Sequence, residues 1–156
     1  MLINEPDKRA EMLEAVAAIE AIEAMVQLQE PWNYKTINDF LQQDSIKLML
    51  MTDTNNDEVV GYCLYQVLFE QAEIFRIGTH PNYQRQGIAS QIFARLNEEL
   101  KNQQVEALLL EVRADNIAAI ALYEQQGFTI IHSRKGYYQV GFQSAIDALI
   151  MQRIYR

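Results

Sequence analysis

The chain has 156 residues and a mass of 18.1 kDa, with 49% apolar and 22% charged residues, which suits one globular domain and is too short for two of full size. Six Gly, three Pro and many aliphatics exclude a collagen, a coiled coil or a wholly disordered chain. The net charge of −8 is opposite in sign to that of most nucleic-acid binders, whose phosphate contacts need clustered Lys and Arg. All of this imbalance lies in residues 1–60, where twelve acids face four bases; residues 61–156 hold nine of each.

A lone cysteine, Cys63, excludes an internal disulfide and a Cys-rich metal site. It sits in the apolar run Val59-Val60-Gly61-Tyr62-Cys63-Leu64-Tyr65, where a small core residue is expected rather than a nucleophile. His80 and His132 lie far apart in sequence with no carboxylate pattern around them, so no metal site is expected. The first residues lack a basic segment followed by an apolar one, and no apolar stretch reaches the roughly 18 residues of a membrane span. A soluble, cytoplasmic protein without a membrane partner is the expectation.

Taken in chain order, Asp7 to Gln29 carries Met12, Val16, Ile19, Ile22 and Met25 or Val26 at helical spacing, and Glu30-Pro31 is expected to end that helix. Asn33 can cap a second helix running to about Gln43. Ile46 to Thr52 and Glu58 to Leu68 are β-rich runs around the turn residues Asp53-Thr54-Asn55-Asn56-Asp57, which predicts a hairpin. Ala72 to Thr79 is a third strand. Ile88 to Asn102 returns to helical period, with Ile88, Ile92, Phe93, Leu96 and Leu100 on one stripe. Val105 to Val112 is a continuous apolar run that suits a strand buried on both faces. Asn116 to Gln126 is helical and stops at Gly127, while Phe128 to His132 and Ala145 to Met151 close the chain as strands. The pattern is α+β, without repeats or linkers, and a single domain over residues 1–156 is expected.

The strongest chemical signal is the junction Ile77-Gly78-Thr79-His80-Pro81-Asn82-Tyr83-Gln84-Arg85-Gln86-Gly87-Ile88-Ala89-Ser90. A strand ends, the chain turns at Pro81, and Gly87 opens an amphipathic helix. Unpaired N–H groups and partial positive charge at a helix start suit a phosphate. Gly87 and Ala89 let an anion approach the backbone, and Arg85 adds a cation. Neither the Walker pattern nor the dinucleotide fingerprint is present, so a phosphate-bearing molecule of another class is required.

With Gln84 through Ala89 matching Arg/Gln-x-x-Gly-x-Gly/Ala, the chain resembles the GNAT superfamily of acyl-CoA-dependent N-acetyltransferases. The resemblance continues through Leu110-Glu111-Val112-Arg113-Ala114-Asp115-Asn116 and Ala119 to Phe128, and ends with Arg134-Lys135-Gly136-Tyr137-Tyr138 and Asp147 to Met151. With Pro31-Trp32 near the front, it looks like the RimI branch, which acetylates the N-terminal alanine of a small-subunit ribosomal protein. The resemblance implies a mixed, mostly antiparallel central sheet flanked by helices, acetyl-CoA as cosubstrate, no metal, and a ribosomal-protein N-terminal peptide as acceptor. It implies that backbone groups of Ile77, Gly78 and Thr79 face the pantetheine arm, that Arg85, Gln86, Gly87, Ile88, Ala89 and Ser90 hold the pyrophosphate, and that Asn116 touches the cofactor. By the same carry-over Glu111 is the general base and Tyr123 the general acid. Two departures stand out: Arg76-Ile77-Gly78-Thr79 replaces the branch's usual Asn-Ile-Ala-Val, and Gln139 stands where proline often follows the paired tyrosines.

Acetyl transfer to an amine needs a base, a polarised carbonyl and a proton for the departing thiolate, but no protein nucleophile. Glu111 is anomalous as a carboxylate after Leu108-Leu109-Leu110, where burial would raise its carboxyl toward neutrality; the plainer alternative pairs it with Arg113 or solvent. Tyr123 can protonate a thiolate or simply pack in the core. Asn116 can cap its helix, contact the cofactor, or both. Trp32 can anchor the front helices or line a peptide groove, and Tyr137 and Tyr138 can be exposed strand aromatics or channel walls. Arg134-Lys135 reads as a solvated turn. Transfer to a small amine or lysine side chain, and a CoA-binding module without turnover, are the alternatives.

Overall fold

Local propensity and capping place the helices where the apolar stripes fall. In a computed structural model that describes residues 1–6, 9–27, 30–138 and 145–155, the elements in chain order are β1 (Leu2–Asn4), α1 (Arg9–Val26), α2 (Tyr34–Leu41), β2 (Ile46–Asp53), β3 (Glu58–Leu68), β4 (Gln71–Thr79), a 3-10 turn (Pro81–Tyr83), α3 (Ile88–Asn102), β5 (Ala107–Arg113), α4 (Ile117–Gln125), β6 (Thr129–Tyr138) and β7 (Ile146–Ile154). The seven strands pair in the order β1-β2-β3-β4-β5-β7-β6. The β4–β5 pair is parallel, whereas β1–β2, β2–β3, β5–β7 and β6–β7 are antiparallel. This is the mixed, mostly antiparallel sheet with four helices that the sequence anticipates.

The chain divides into two compact units, Met1–Gln66 with Phe75–Glu99, and Val67–Ile74 with Leu100–Arg156. In the first, α1 buries Ala15, Val16, Ile19 and Ile22 against Ile37 of α2 and Ile46, Leu48, Leu50, Tyr62 and Leu64 of the sheet. Each Val, Ile or Leu side chain among them contributes about 1.5–3 kcal/mol on leaving water. Met25 is 42% exposed, so the stripe closes through Val26. The helix ends at Val26, before Glu30-Pro31, which corrects the expected stop. Asn33 caps α2 as anticipated, its Oδ1 accepting from the Thr36 N–H at 2.9 Å. The α3 residues Ile88, Ile92, Phe93 and Leu96 are all buried.

In the second unit, Gln71 to Ile74 of β4 pair with Ala107 to Leu110 of β5. The odd positions Leu109, Glu111 and Arg113 of β5 are half-buried while Leu108, Leu110 and Val112 are buried. The apolar run is therefore covered well on one face only, which corrects the expectation of burial on both. Asn116 caps α4 through a bond from the Ala119 N–H at 3.2 Å, and Gly127 ends it at φ 89°. β6 runs to Tyr138, six residues beyond the expected strand. Its register against β7 shifts between Arg134, opposite Ala148, and Tyr138, opposite Ile146. Gly136 sits in that bulge at φ 60°, where its N–H donates to Asp147 Oδ1 at 2.8 Å.

Candidate active site

Within the first unit, β4 delivers Ile77, Gly78 and Thr79 to the phosphate-loop candidate. Two of their carbonyls already accept side-chain bonds: Ile77 from Gln27 Nε2 at 3.4 Å and Thr79 from Gln84 Nε2 at 3.3 Å. The Tyr62 ring packs so closely on Gly78 that a Cβ there would lie 2.6–2.8 Å from it. The 3-10 turn is braced from the β2–β3 turn, since the Tyr83 hydroxyl donates to Asp53 Oδ2 at 2.9 Å. The bond from the Asn55 N–H first, and then this one, lower the Asp53 carboxyl below its ordinary range. His80 Nδ1 accepts from the Asn82 N–H at 3.1 Å, and its Nε2 lies 3.6 Å from Glu58 Oε1, a carboxylate partner that sequence proximity did not show.

The loop itself alternates in handedness. Arg85 at φ 63° and Gly87 at φ 80° flank Gln86, and α3 begins at Ile88. Such alternation gathers successive N–H groups into an anion-binding concavity, next to the first-turn donors of a helix. Arg85, Gln86, Gly87 and Ser90 are exposed, Ala89 half-buried and Ile88 buried beneath. A Cβ built on Gly87 would meet nothing within 4 Å, so the backbone here opens onto free space that a side chain would occupy. These residues fit a pyrophosphate.

Within the second unit, Glu111 is held by β6 rather than by Arg113. The Tyr138 hydroxyl donates to Glu111 Oε1 at 2.7 Å, and Arg134 Nη1 lies 3.7 Å from Oε2. Arg113 instead forms a fork onto Asp115, at 3.1 and 3.0 Å, which lowers the Asp115 carboxyl. Strand register explains the grouping. Glu111 faces Ile150, Arg113 faces Ala148, Arg134 faces Ala148 and Tyr138 faces Ile146, so all four project from one face. Glu73, opposite Leu109 in the parallel pair, shares that face. Desolvation first, and then the Glu111 charge, raise the Glu73 carboxyl, against an opposing influence of Arg134. Arg134, Tyr138 and Glu73 were not singled out for this cluster from sequence, because their approach to Glu111 depends on register and a bulge.

Tyr123 is buried on α4, its ring 6.0 Å from that of Phe128, and Asn116 serves as the cap of the same helix. Tyr137 is 53% exposed, whereas Tyr138 is half-buried with its ring edge against Tyr137 and the Arg113 guanidinium above it. In the first unit Trp32 stacks on Phe40 at 4.5 Å and carries the Arg76 guanidinium at 4.8 Å, so it anchors the front helices. Cys63 is buried, which pushes its thiol far up and leaves it inert at neutral pH. Gln139 lies outside the described residues.

Comparisons with known proteins bear on the family and the fold. The model of the acetyltransferase (GNAT) family matches residues 13–128. The [ribosomal protein bS18]-alanine N-acetyltransferase of Escherichia coli K12 is 37% identical over 121 residues, 78% of this chain and 79% of the relative. The crystal structure of the ribosomal-protein-S18-alanine N-acetyltransferase from Escherichia coli superposes with a TM-score of 0.84 at 31% identity, covering 98% of this chain and 92% of that one. A putative streptothricin acetyltransferase from Bacillus anthracis, solved in complex with acetyl coenzyme A, shares the fold at a TM-score of 0.66 and 19% identity, over 76% of this chain and 68% of that one.

Proposed function

Since the chain belongs to the acetyltransferase (GNAT) family, we propose that it transfers an acetyl group from acetyl-CoA directly to the N-terminal alanine α-amine of a small-subunit ribosomal protein, in the cytoplasm and as one functional domain. The observation that carries this reading is the 37% identity, over 78% of the chain, to a bS18-alanine N-acetyltransferase. The alternating loop supports it, being of a shape and charge suited to a pyrophosphate.

Acetyl-CoA supplies the activated acyl group, a thioester. Arg85, Gln86, Gly87, Ile88, Ala89 and Ser90 hold its pyrophosphate, backbone groups of Ile77, Gly78 and Thr79 face its pantetheine arm, and Asn116 adds a contact while capping α4. Glu111 accepts a proton from the acceptor ammonium, directly or through one water, so that the amine nitrogen bonds to the acyl carbon. Tyr123 gives its hydroxyl proton to the departing sulfur as the carbon–sulfur bond breaks. The nitrogen sheds two protons in all, one to Glu111 before attack and one as the tetrahedral adduct collapses to the amide. The second makes good, through solvent, the proton that Tyr123 gives to sulfur, so one net proton leaves on Glu111 and charge balances.

Intact-mass measurement with acetyl-CoA tests the reading, using a short peptide that begins with Ala against peptides beginning with Ser or Gly, a polyamine and an aminoglycoside. A single acetyl on the α-amine of the Ala peptide is expected; preference for a small amine overturns it. Glu111→Gln and Tyr123→Phe are each expected to lower kcat by about 10²-fold or more with KM for acetyl-CoA little changed.

A further inference from the structure

We propose that Tyr138 is a positioning residue for Glu111, its phenol fixing the carboxylate so that the lone pairs left over point at the reacting amine or its relay water. The inference rests on the assignment of Glu111 as the base and extends it to the device that aims it. An ionised carboxylate offers about four acceptor sites, and its rotation about the terminal torsion is soft. Here Oε1 is taken by the Tyr138 hydroxyl at 2.7 Å and Oε2 lies 3.7 Å from the Arg134 guanidinium. With Oε1 hydrogen-bonded and Oε2 only within ion-pair range of a half-exposed cation, the phenol is the contact that favours one orientation, and acceptor capacity remains on each oxygen.

The fold builds this contact rather than leaving it to chance. In a regular antiparallel pair, the residue opposite Ile146 would lie two positions beyond Arg134; the bulge inserts two more, and Tyr138 takes that place. The bulge is pinned by Asp147, which accepts from the Gly136 N–H at 2.8 Å and from Lys135 Nζ at 3.2 Å. These bonds, the backbone one first, lower the Asp147 carboxyl and keep it an acceptor. The Tyr138 ring is steadied on two sides, by the Tyr137 ring at 5.1 Å and the Arg113 guanidinium at 5.3 Å. Tyr138→Phe therefore removes the donor while leaving the ring contacts in place.

A double-mutant cycle on the full chain tests the assignment, with acetyl-CoA and a peptide beginning with Ala. Tyr138→Phe is expected to lower kcat about tenfold, the effect of one hydrogen bond to a charged group, with KM for acetyl-CoA unchanged. In the Glu111→Gln background the same substitution is expected to cost nothing further. Asp147→Ala, which loosens the bulge and touches neither side chain, is expected to lower kcat in the native background and not in Glu111→Gln. Equal losses in both backgrounds, or a loss confined to the peptide KM, overturn the positioning role while Glu111 stands as base. A native kcat in Glu111→Gln overturns the base itself, and the positioning role with it.

Discussion

Two residues of the candidate phosphate loop, on either side of Gln86, share a backbone hand, one as glycine and one with a full side chain. Gly87 at φ 80° occupies a region that costs an L residue about 1–2 kcal/mol, while open space around its Cβ position removes any packing penalty. Gly87→Ala should therefore lower Tm by about 2–4 °C and raise KM for acetyl-CoA. Arg85 at φ 63° already bears such a strain with a full side chain. Arg85→Gly should raise Tm by a similar amount yet raise KM for acetyl-CoA roughly tenfold, because the cation is lost as the strain is relieved. Thermal melts beside steady-state kinetics separate the two effects. Glu73 offers a third case. Its carboxyl lies above the ordinary glutamate value of 4.5, chiefly through desolvation and then through Glu111. A carboxyl raised in the folded state favours folding while protonated and loses that contribution as pH climbs through its folded value. Glu73→Gln should thus raise Tm by about 1–2 °C at pH 7 and change it little at pH 4. Melting curves across that range, with equal shifts at both ends, would remove the charge from the account.

At the scale of elements, the front of the first unit is tied together by one buried carboxylate. Glu23 of α1 is fully buried; it accepts from the Trp32 N–H at 2.9 Å, from the Arg76 Nε at 3.0 Å and from the Tyr62 hydroxyl. It thereby binds α1, β3, β4 and the segment leading into α2. Arg76 and Gly78, two of the positions where this chain departs from its branch, both belong to this knot, since Gly78 gives Tyr62 the room to reach Glu23. Removing one partner of a buried ion pair strands the other, so Glu23→Ala should cost about 3–5 kcal/mol by urea denaturation, and Arg76→Met a comparable amount. The i,i+3,i+4 spacing sets Glu23 on the apolar stripe, four residues after Ile19 and three before Val26, but neither result follows from it, because the partners Trp32, Tyr62 and Arg76 come from other elements. Elements with local signals were legible: the stripe of α3, the caps Asn33 and Asn116, and the turn Asp53–Asp57. β1 was not, being three residues long, and the second half of β6 was not, because Ser133-Arg134-Lys135-Gly136 has turn composition that an edge strand with a bulge tolerates. The site divides likewise. Gly87 announced the loop because a glycine at a strand–helix junction has a local cause, whereas the tether on Glu111 needs β5, β7 and β6 in register.

For the molecule as a whole, the −8 charge and its confinement to residues 1–60 bear on encounter with the acceptor. In the first unit Glu14, Asp57 and Glu58 line a common depression, so part of the excess is gathered on the surface. Such a surface raises the local concentration of a cationic chain and does so less in salt. The kcat/KM for an Ala-initiated peptide carrying several Lys or Arg should fall between 20 and 300 mM salt, on the order of tenfold, while that for a neutral peptide of equal length holds. Equal salt responses would assign the excess acid to solubility alone. The short strand β1 has a consequence of another kind. It is an edge of the sheet, paired through Leu2, Ile3 and Asn4 with Thr52, Met51 and Leu50 of β2, and the Tyr65 hydroxyl donates to Glu5 just beyond it. Without it, the run Leu48-Met49-Leu50-Met51 would present bare strand hydrogen-bonding groups flanked by apolar side chains, a template for pairing with another copy. Deleting residues 1–5 should leave acetyl transfer measurable at nanomolar enzyme and yet give concentration-dependent particle growth in light scattering. Such growth would give the three residues of β1 a duty separate from catalysis, that of covering the edge of β2.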